Sequence, residues 1–398
     1  MANKIYRNST ELMTLGGVPI YMGEMADACL MGRLNLFLQG DTGTGKTQLA
    51  RDAMNYFGDK SMFILGRNDM DTRELFQQIN LEKLRTGSSS SEIRELTDKV
   101  NYNLIVVDEL PNCASAVRAQ LFNLFDGFIE LNGKAYPIGK GYSAGIATGN
   151  IGQKFTESSN ELGRALKDRM HVIIDADYFF PQPRDTLEML AESTNPRVEF
   201  GKDGEDGSQG IIGKYNDLVK KDIPFEKLII ANYLLHGLDY CSKGSKRQMK
   251  DAWPNNLESH EQGSDIGLVL PVSPRASKSI IRLSQALDSI AAEKGAKNLD
   301  YLDSMMQAYK FVSAYSGVLN EAAVAANYDG SRYKAMDSII TTTKKQFDDK
   351  RNSMAAGLEM VKSGKTDKKV LDLFDERWGF MKDILVHLSN QNQKQKGE

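Results

Sequence analysis

Gly40-Asp41-Thr42-Gly43-Thr44-Gly45-Lys46-Thr47 is the stretch on which the reading of this chain turns. It fits the pattern G-x-x-x-x-G-K-[ST], in which every element helps to hold phosphate. The glycines let the backbone bend so that successive N–H groups point at phosphate oxygens. Lys46 brings positive charge to the β- and γ-phosphates, and the Thr47 hydroxyl is a magnesium ligand. The helix that starts there adds its positive dipole end. The flanks agree: Leu34-Asn35-Leu36-Phe37-Leu38 has strand character, and Gln48 to Met54 continues as a helix. Residues Gly40 through Thr47 are therefore expected to bind a nucleoside triphosphate.

Such a loop needs a second element, a buried strand ending in a carboxylate that organises the metal. Leu104-Ile105-Val106-Val107-Asp108-Glu109 supplies it. Asp108, with Thr47, is the expected magnesium site. Glu109 follows by one residue, where a general base can polarise the attacking water, so hydrolysis is expected as well as binding. No base-reading motif separates ATP from GTP.

Around these two segments the chain alternates apolar runs with amphipathic ones. Met62 to Leu65, Leu104 to Val107, Gly145 to Ala147 and His171 to Ile174 have strand length, and their near-continuous apolar character suits parallel strands buried on both faces. Lys46 to Phe57, Ser91 to Val100 and Ala114 to Phe125 have helical spacing. Phe128 to Tyr136 contains Asn132-Gly133 between two strand-like pieces, a hairpin signal. Thr86 to Ser91 and Gly201 to Ser208 read as loops. After Pro181 and Pro183 the signal turns helical, over Phe225 to Tyr240, Pro274 to Ala292, Leu299 to Val318 and Ser331 to Lys350. The polar tail Asn390 to Gln395 is expected to fray.

The expected fold class is thus α/β, a parallel-sheet core with helices on both faces, followed by an all-helical domain. The expected boundaries are 1–180 for the core, including a hairpin insert at about 128–138, then 181–330 for the helical domain and 331–398 for a C-terminal helical extension.

Composition excludes several alternatives. Among 398 residues, 50 Lys and Arg against 53 Asp and Glu give a net charge of −3, which offers no general attraction to a polyanion. Cys29, Cys113 and Cys241 lie far apart and form no disulfide framework, and four scattered histidines form no zinc-like cluster. The first residues lack the apolar run of a signal peptide, and no apolar stretch is long enough to span a bilayer. A cytoplasmic protein without membrane contact is the expectation.

Together these segments resemble the AAA+ ATPases, and within them the MoxR-type branch. Asp108-Glu109-Leu110, then Gln120 to Asp126, then Glu130 to Ile138 are similar to the family's acidic pair, following helix and hairpin insert. Ala147-Thr148-Gly149-Asn150 resembles the sensor 1 strand, which implies that the Asn150 amide lies near the γ-phosphate. Ala165 to Met170 resembles the segment carrying the arginine finger, which implies Arg169 as the finger acting on a neighbouring subunit, with Arg164 in reserve. Val272-Ser273-Pro274-Arg275-Ala276 resembles the lid motif and implies Arg275 as sensor 2. The likeness extends over roughly residues 10 to 320. It departs from the family at Pro111 to Ala114, where Asn-Arg-Ala-Pro is usual, and at Met170, which is usually aromatic. The segment Gly66 to Asp71 carries no aromatic–hydrophobic–glycine pore loop.

The resemblance implies a ring, hexameric in the family, that uses ATP and Mg²⁺ to remodel a protein partner in the manner of a chaperone. Clients in this branch often carry a metal-binding adhesion-type (VWA) domain. Two other readings belong to different classes. A nucleic-acid motor or defence ATPase would use the basic cluster Lys243, Lys246, Arg247 and Lys250. A nucleotide-dependent assembly scaffold would bind without turnover.

Overall fold

The computed structural model describes residues 10–69, 77–79, 94–96, 98–131, 134–150, 169–192, 197, 206–239 and 267–396. Arg164, the Thr86–Ser91 loop, the Asn132-Gly133 turn, Gly201 to Glu205 and the basic cluster around Lys246 lie outside these residues. The chain divides into two compact units, Met1–Asp222 with Gln285–Leu299, and Ile223–Ser284 with Asp300–Glu398.

The first unit opens with a hairpin, β1 (Glu11–Leu15) and β2 (Val18–Tyr21), which the sequence reading did not identify. Its turn is Gly16-Gly17, with φ of 54° and 82°. Two successive positive φ values are what a two-residue hairpin turn asks for, and glycine meets them without strain. Helix α1 (Met22–Met31) comes next, and its N-terminus is closed by the Glu24 side chain reaching back to the Tyr21 N–H at 2.9 Å.

The central sheet is then built from β3 (Leu36–Gln39), helix α2 (Lys46–Phe57), β4 (Ser61–Leu65), the short pair β5 (Gln77–Ile79) and β6 (Arg94–Leu96), then β7 (Leu104–Asp108). Helix α3 (Ser115–Phe125), the hairpin β8 (Phe128–Leu131) and β9 (Lys134–Pro137), β10 (Ala144–Gly149) and β11 (Val172–Asp175) complete it. The five-stranded sheet runs in the order β11-β3-β10-β7-β4, with every pairing parallel. Its inner strands β3, β7 and β10 are buried along their whole length, as apolar runs in a sheet covered on both faces must be. The edge strand β4 alternates instead. In such a sheet ligands bind beyond the carboxyl ends of the strands. There β3 delivers Gly40, β7 delivers Asp108 and β10 delivers Asn150.

The opposite end of the sheet is tied by Asn35, a buried residue of no predicted role. Its amide donates to the Phe125 and Arg169 carbonyls at 2.8 and 2.9 Å and accepts from the Gly145 N–H at 2.8 Å, while its own N–H donates to His171 Nδ1 at 2.9 Å. A single side chain thus satisfies three backbone groups where α3 ends, β10 starts and the chain approaches β11.

Two sequence expectations are corrected here. The helix expected over Ser91 to Val100 is not formed: Arg94–Leu96 pairs antiparallel with Gln77–Ile79, and Asp98–Asn101 is a 3₁₀ turn. Local spacing favoured a helix, and a strand partner elsewhere in the chain outweighed it. The expected fraying of Asn390 to Gln395 is also not seen, because the last helix runs through Lys396.

Helices α4 (Pro183–Glu192) and α5 (Ser208–Lys220) group with the α/β core rather than with the helices of the second unit, so the first unit extends past the expected boundary at 180. Tyr215 of α5 meets Tyr142 edge to face at 5.3 Å, and Lys214 pairs with Glu293 at 2.9 Å.

The second unit is helical: α6 (Phe225–His236), the first part of α7 (Pro274–Glu293), α8 (Tyr301–Ser313), α9 (Glu321–Asn327), α10 (Arg332–Asp349), α11 (Arg351–Ser363), α12 (Lys368–Leu371) and α13 (Phe380–Lys396). The division between the units falls inside α7. Residues beyond 330 do not stand apart as a separate extension. Tyr233 of α6 packs on Phe347, Trp378 and Phe380 with ring centroids 5.1, 4.9 and 6.5 Å away, and its hydroxyl accepts from Arg377 at 2.8 Å. Met381, Leu385 and Ser389 are buried along α13, which anchors it and lets its polar end propagate as helix.

Asp52, on α2, is buried; its Oδ1 accepts from Gln48 Nε2 at 3.1 Å and its Oδ2 finds no partner among the described residues. Burial pushes its carboxyl up to about 6, offset in part by the Gln48 hydrogen bond. The folded state therefore binds a proton that the unfolded state has released between about pH 4 and pH 6, and stability falls as pH rises through that window. Asp52→Asn is expected to stabilise the protein by roughly 1–2 kcal/mol at pH 8 and far less at pH 4, as urea denaturation at the two pH values would show.

Candidate nucleotide site

The loop after β3 turns on three glycines with positive φ: Gly40 at 145°, Gly43 at 77° and Gly45 at 78°. Gly45 stands immediately before Lys46, the first residue of α2, so the loop leads directly into the amino end of that helix. A Cβ on Gly43 would meet nothing within 4 Å, so the loop is open on that side. The N–H groups of a helix's first turn have no intrahelical partner, and with the helix dipole they favour an anion there.

Lys46 is buried, and its Nζ donates to the Gly40 and Asp41 carbonyls at 3.0 and 2.7 Å and to Thr44 Oγ1 at 3.3 Å. Thr44 Oγ1 in turn donates to the Asp41 carbonyl at 2.8 Å. The amine is thus held within the loop it serves.

Thr47 Oγ1 donates to Asp108 Oδ1 at 3.0 Å, which joins the first residues of α2 to the end of β7. The same carboxylate oxygen accepts from Thr148 Oγ1 of β10. A hydroxyl and a carboxylate side by side are the oxygen donors that magnesium takes, so these residues fit the ion. Among the described residues no cluster of three or more His, Cys, Asp or Glu side chains forms a separate metal site. Thr148 carries a second duty, since its Oγ1 accepts from the Glu109 N–H at 3.1 Å. Sequence reasoning singled out Asn150 in this segment and missed Thr148. The sequence shows only a threonine within the run Ala144–Gly149, and its place beside Asp108 comes from the parallel register of β10 with β7.

Glu109 adopts φ 56° and ψ 41°, the left-handed region, which is costly for a residue with a side chain. The bend brings Glu109 out of the strand line, exposed, with its Oε2 accepting from Asn112 Nδ2 at 2.9 Å. Gly66 allows this approach: its N–H donates to the Asp108 carbonyl at 2.7 Å, and a Cβ there would lie 2.5 Å from the Glu109 carbonyl oxygen.

Asn150 follows β10 directly and is half-buried. Gly149 pairs in register with Gln39, so Asn150 emerges beside Gly40, between the loop strand and the Asp108 strand. The structure therefore brings Lys46, Thr47, Asp108, Glu109 and Asn150 to one end of one sheet.

The arginines are distributed differently. Arg169 lies shortly before β11, at the other end of the sheet, with its Nε 2.7 Å from Asp126 Oδ2 and its guanidinium 5.1 Å from the Phe122 ring centre. Arg275 belongs to the second unit and is exposed in the first turn of α7.

A parallel sheet with this loop and this acidic pair at its carboxyl end defines a P-loop nucleotide hydrolase. Residues 35–170 match the AAA domain (dynein-related subfamily). No curated protein matches the chain in sequence. Among solved structures, it is similar to a candidate ATPase from Cytophaga hutchinsonii ATCC 33406, with TM-score 0.56 and 16% identity over 80% of this chain and 88% of that one. It is also similar, more loosely, to a full-length MCM homolog from Methanopyrus kandleri, with TM-score 0.44 and 13% identity over 74% of this chain and 55% of that one. Residues 35–170 thus carry an AAA domain, the nucleotide-hydrolysing module of AAA+ ATPases. No helix among the described residues is long and apolar enough to cross a membrane.

Proposed function

We propose that this AAA+ ATPase is of MoxR type, assembles into a ring and uses ATP hydrolysis to remodel or activate a protein partner. The observation that carries the reading is the hairpin Phe128–Pro137, placed between α3 and β10 in the position the MoxR-like motif predicts. Ser273-Pro274-Arg275-Ala276 at the start of α7 supports it.

In this reading the phosphates lie on the N–H groups at the start of α2, and Lys46 leaves its loop carbonyls for phosphate oxygens. Thr47 and Asp108 would hold Mg²⁺, which when bound supplies positive charge to the phosphate oxygens. Glu109, carried out of the strand by its left-handed backbone, orients and polarises water, and Asn150 faces the same space from the neighbouring strand. Arg169 serves the nucleotide of an adjacent subunit, so the catalytic site is completed only in the assembly. Arg275 reports the nucleotide state to the helical unit. The client is a protein, with a VWA-domain partner as the first to try.

Native mass measurement with and without ATP tests the assembly. Wild type is expected to form a discrete ring with ATP, and Lys46→Ala, which loses at least about 10-fold in ATP affinity, is expected to stay small at the same nucleotide concentration. A monomer at saturating ATP, with turnover stimulated by DNA or RNA in a salt-sensitive way, would instead point to a nucleic-acid motor.

A further inference from the structure

We propose that Asp177, just beyond β11, is a positioning residue of the phosphate loop, and that ATP affinity depends on it. The proposal rests on the reading of Gly40 to Thr47 as the nucleotide site. Both Asp177 carboxylate oxygens lie 2.9 Å from the Asp41 N–H, which donates to them. Asp41 in turn places its own Oδ1 2.8 Å from the Thr42 N–H. The first two amides after Gly40 are thus held by carboxylates, and phosphate is left to the N–H groups nearer α2.

Asp177 is itself aimed by its strand. Its N–H donates to Asp175 Oδ1 at 3.0 Å, Asp175 Oδ2 accepts from Gln39 Nε2 at 3.3 Å, and the Ala176 N–H donates to the Gln39 carbonyl at 2.8 Å. Both strands on which the contact depends, β3 and β11, are paired in register up to Gln39 and Asp175. The approach is close: at Gly40, with φ 145°, an added Cβ would lie 3.0 Å from Asp177 Oδ1 and 3.2 Å from Ala176 Cβ. Gly40 is therefore required for the bend and also for room beside Asp177.

Charge alone argues against a carboxylate at this place. A negative group beside a triphosphate site repels the ligand, so removing it should tighten binding on Coulomb grounds. A hydrogen-bonding role predicts the opposite sign. Without Asp177 the first turn of the loop loses its anchor, and binding must supply the ordering that the anchor provided. The sign of the effect thus separates the two roles.

Steady-state ATP turnover and the Kd of a fluorescent ATP analogue, measured on Asp177→Ala and Asp177→Asn, form the test. Asp177→Ala is expected to raise KM and Kd about 10-fold while kcat at saturation changes by less than about two-fold. Asp177→Asn keeps an oxygen that accepts from Asp41 and is expected to stay within about three-fold of wild type in KM. Equal affinity for both variants and wild type overturns the proposal, as does tighter binding by both. A fall in kcat that parallels a lower melting temperature, with KM unmoved, would make Asp177 merely structural and overturn it as well. If wild type binds the analogue no better than Lys46→Ala, the nucleotide site itself has been misplaced. If wild type binds and the Asp177 variants match it, only the positioning role is lost.

Discussion

Glu109→Gln should bind ATP as well as wild type and turn it over at least about 10²-fold more slowly, the range expected when a general base is removed. The substitution preserves volume and keeps an oxygen that can accept from Asn112, whose Nδ2 lies 2.9 Å from Glu109 Oε2. It removes the charge that the proposed function assigns to polarising water. The left-handed backbone at 109 is set by its surroundings, through the Thr148 hydroxyl on its N–H and Gly66 against its carbonyl, so it should survive the change. Binding and turnover measured on the same preparation check the split. A variant that hydrolyses at the wild-type rate would remove Glu109 from the catalytic role. A variant that no longer binds would make Glu109 part of the nucleotide cradle.

The second large effect is expected at Arg169. An arginine finger contributes about 10³–10⁵ in rate, so Arg169→Ala should bind ATP and hydrolyse it at least about 10³-fold more slowly. The structure adds a feature to the sequence reading. Arg169 is already oriented within its own chain, by Asp126 at 2.7 Å and by the Phe122 ring. Its backbone carbonyl is held by buried Asn35 at 2.9 Å. These contacts suit a side chain kept ready for a partner's phosphate, and they equally suit a local ion pair. Mixing separates the two. Arg169→Ala subunits combined with Lys46→Ala subunits recreate interfaces with an intact loop beside an intact finger, so some turnover should return. A cis ion pair gives no recovery on mixing, and its loss would lower stability by only about 0–1 kcal/mol. If Arg169→Ala hydrolyses normally, Arg164 takes the trans role.

How much of the fold and site was legible in the sequence depends on the range of each interaction. The glycine loop, the helix start at Lys46 and the strand end at Asp108 and Glu109 were readable as structure because their signals are local: glycines where the backbone must turn, a lysine at a helix start, carboxylates ending an apolar run. Helix α2 begins and ends at the expected residues, Lys46 and Phe57. The five sheet strands and the β8–β9 hairpin were readable for the same reason. Residues 94–96 misled because their helical spacing is local while their strand partner is supplied from elsewhere. The Gly16-Gly17 turn carried a usable signal that went unread.

The sequence by itself determined the class of chemistry, since a bent glycine loop before a lysine, and a buried strand ending in two carboxylates, have few other uses. It could not say which side chains hold those segments in place. Asn35, Thr148 and Asp177 act on residues 39 to 136 positions away in the chain. Only the parallel order β11-β3-β10-β7-β4 places Thr148 against Asp108 and Asp177 against Asp41. A hydrogen bond is specified by distance and direction in space, and contacts at this range become visible only when the sheet has fixed its register.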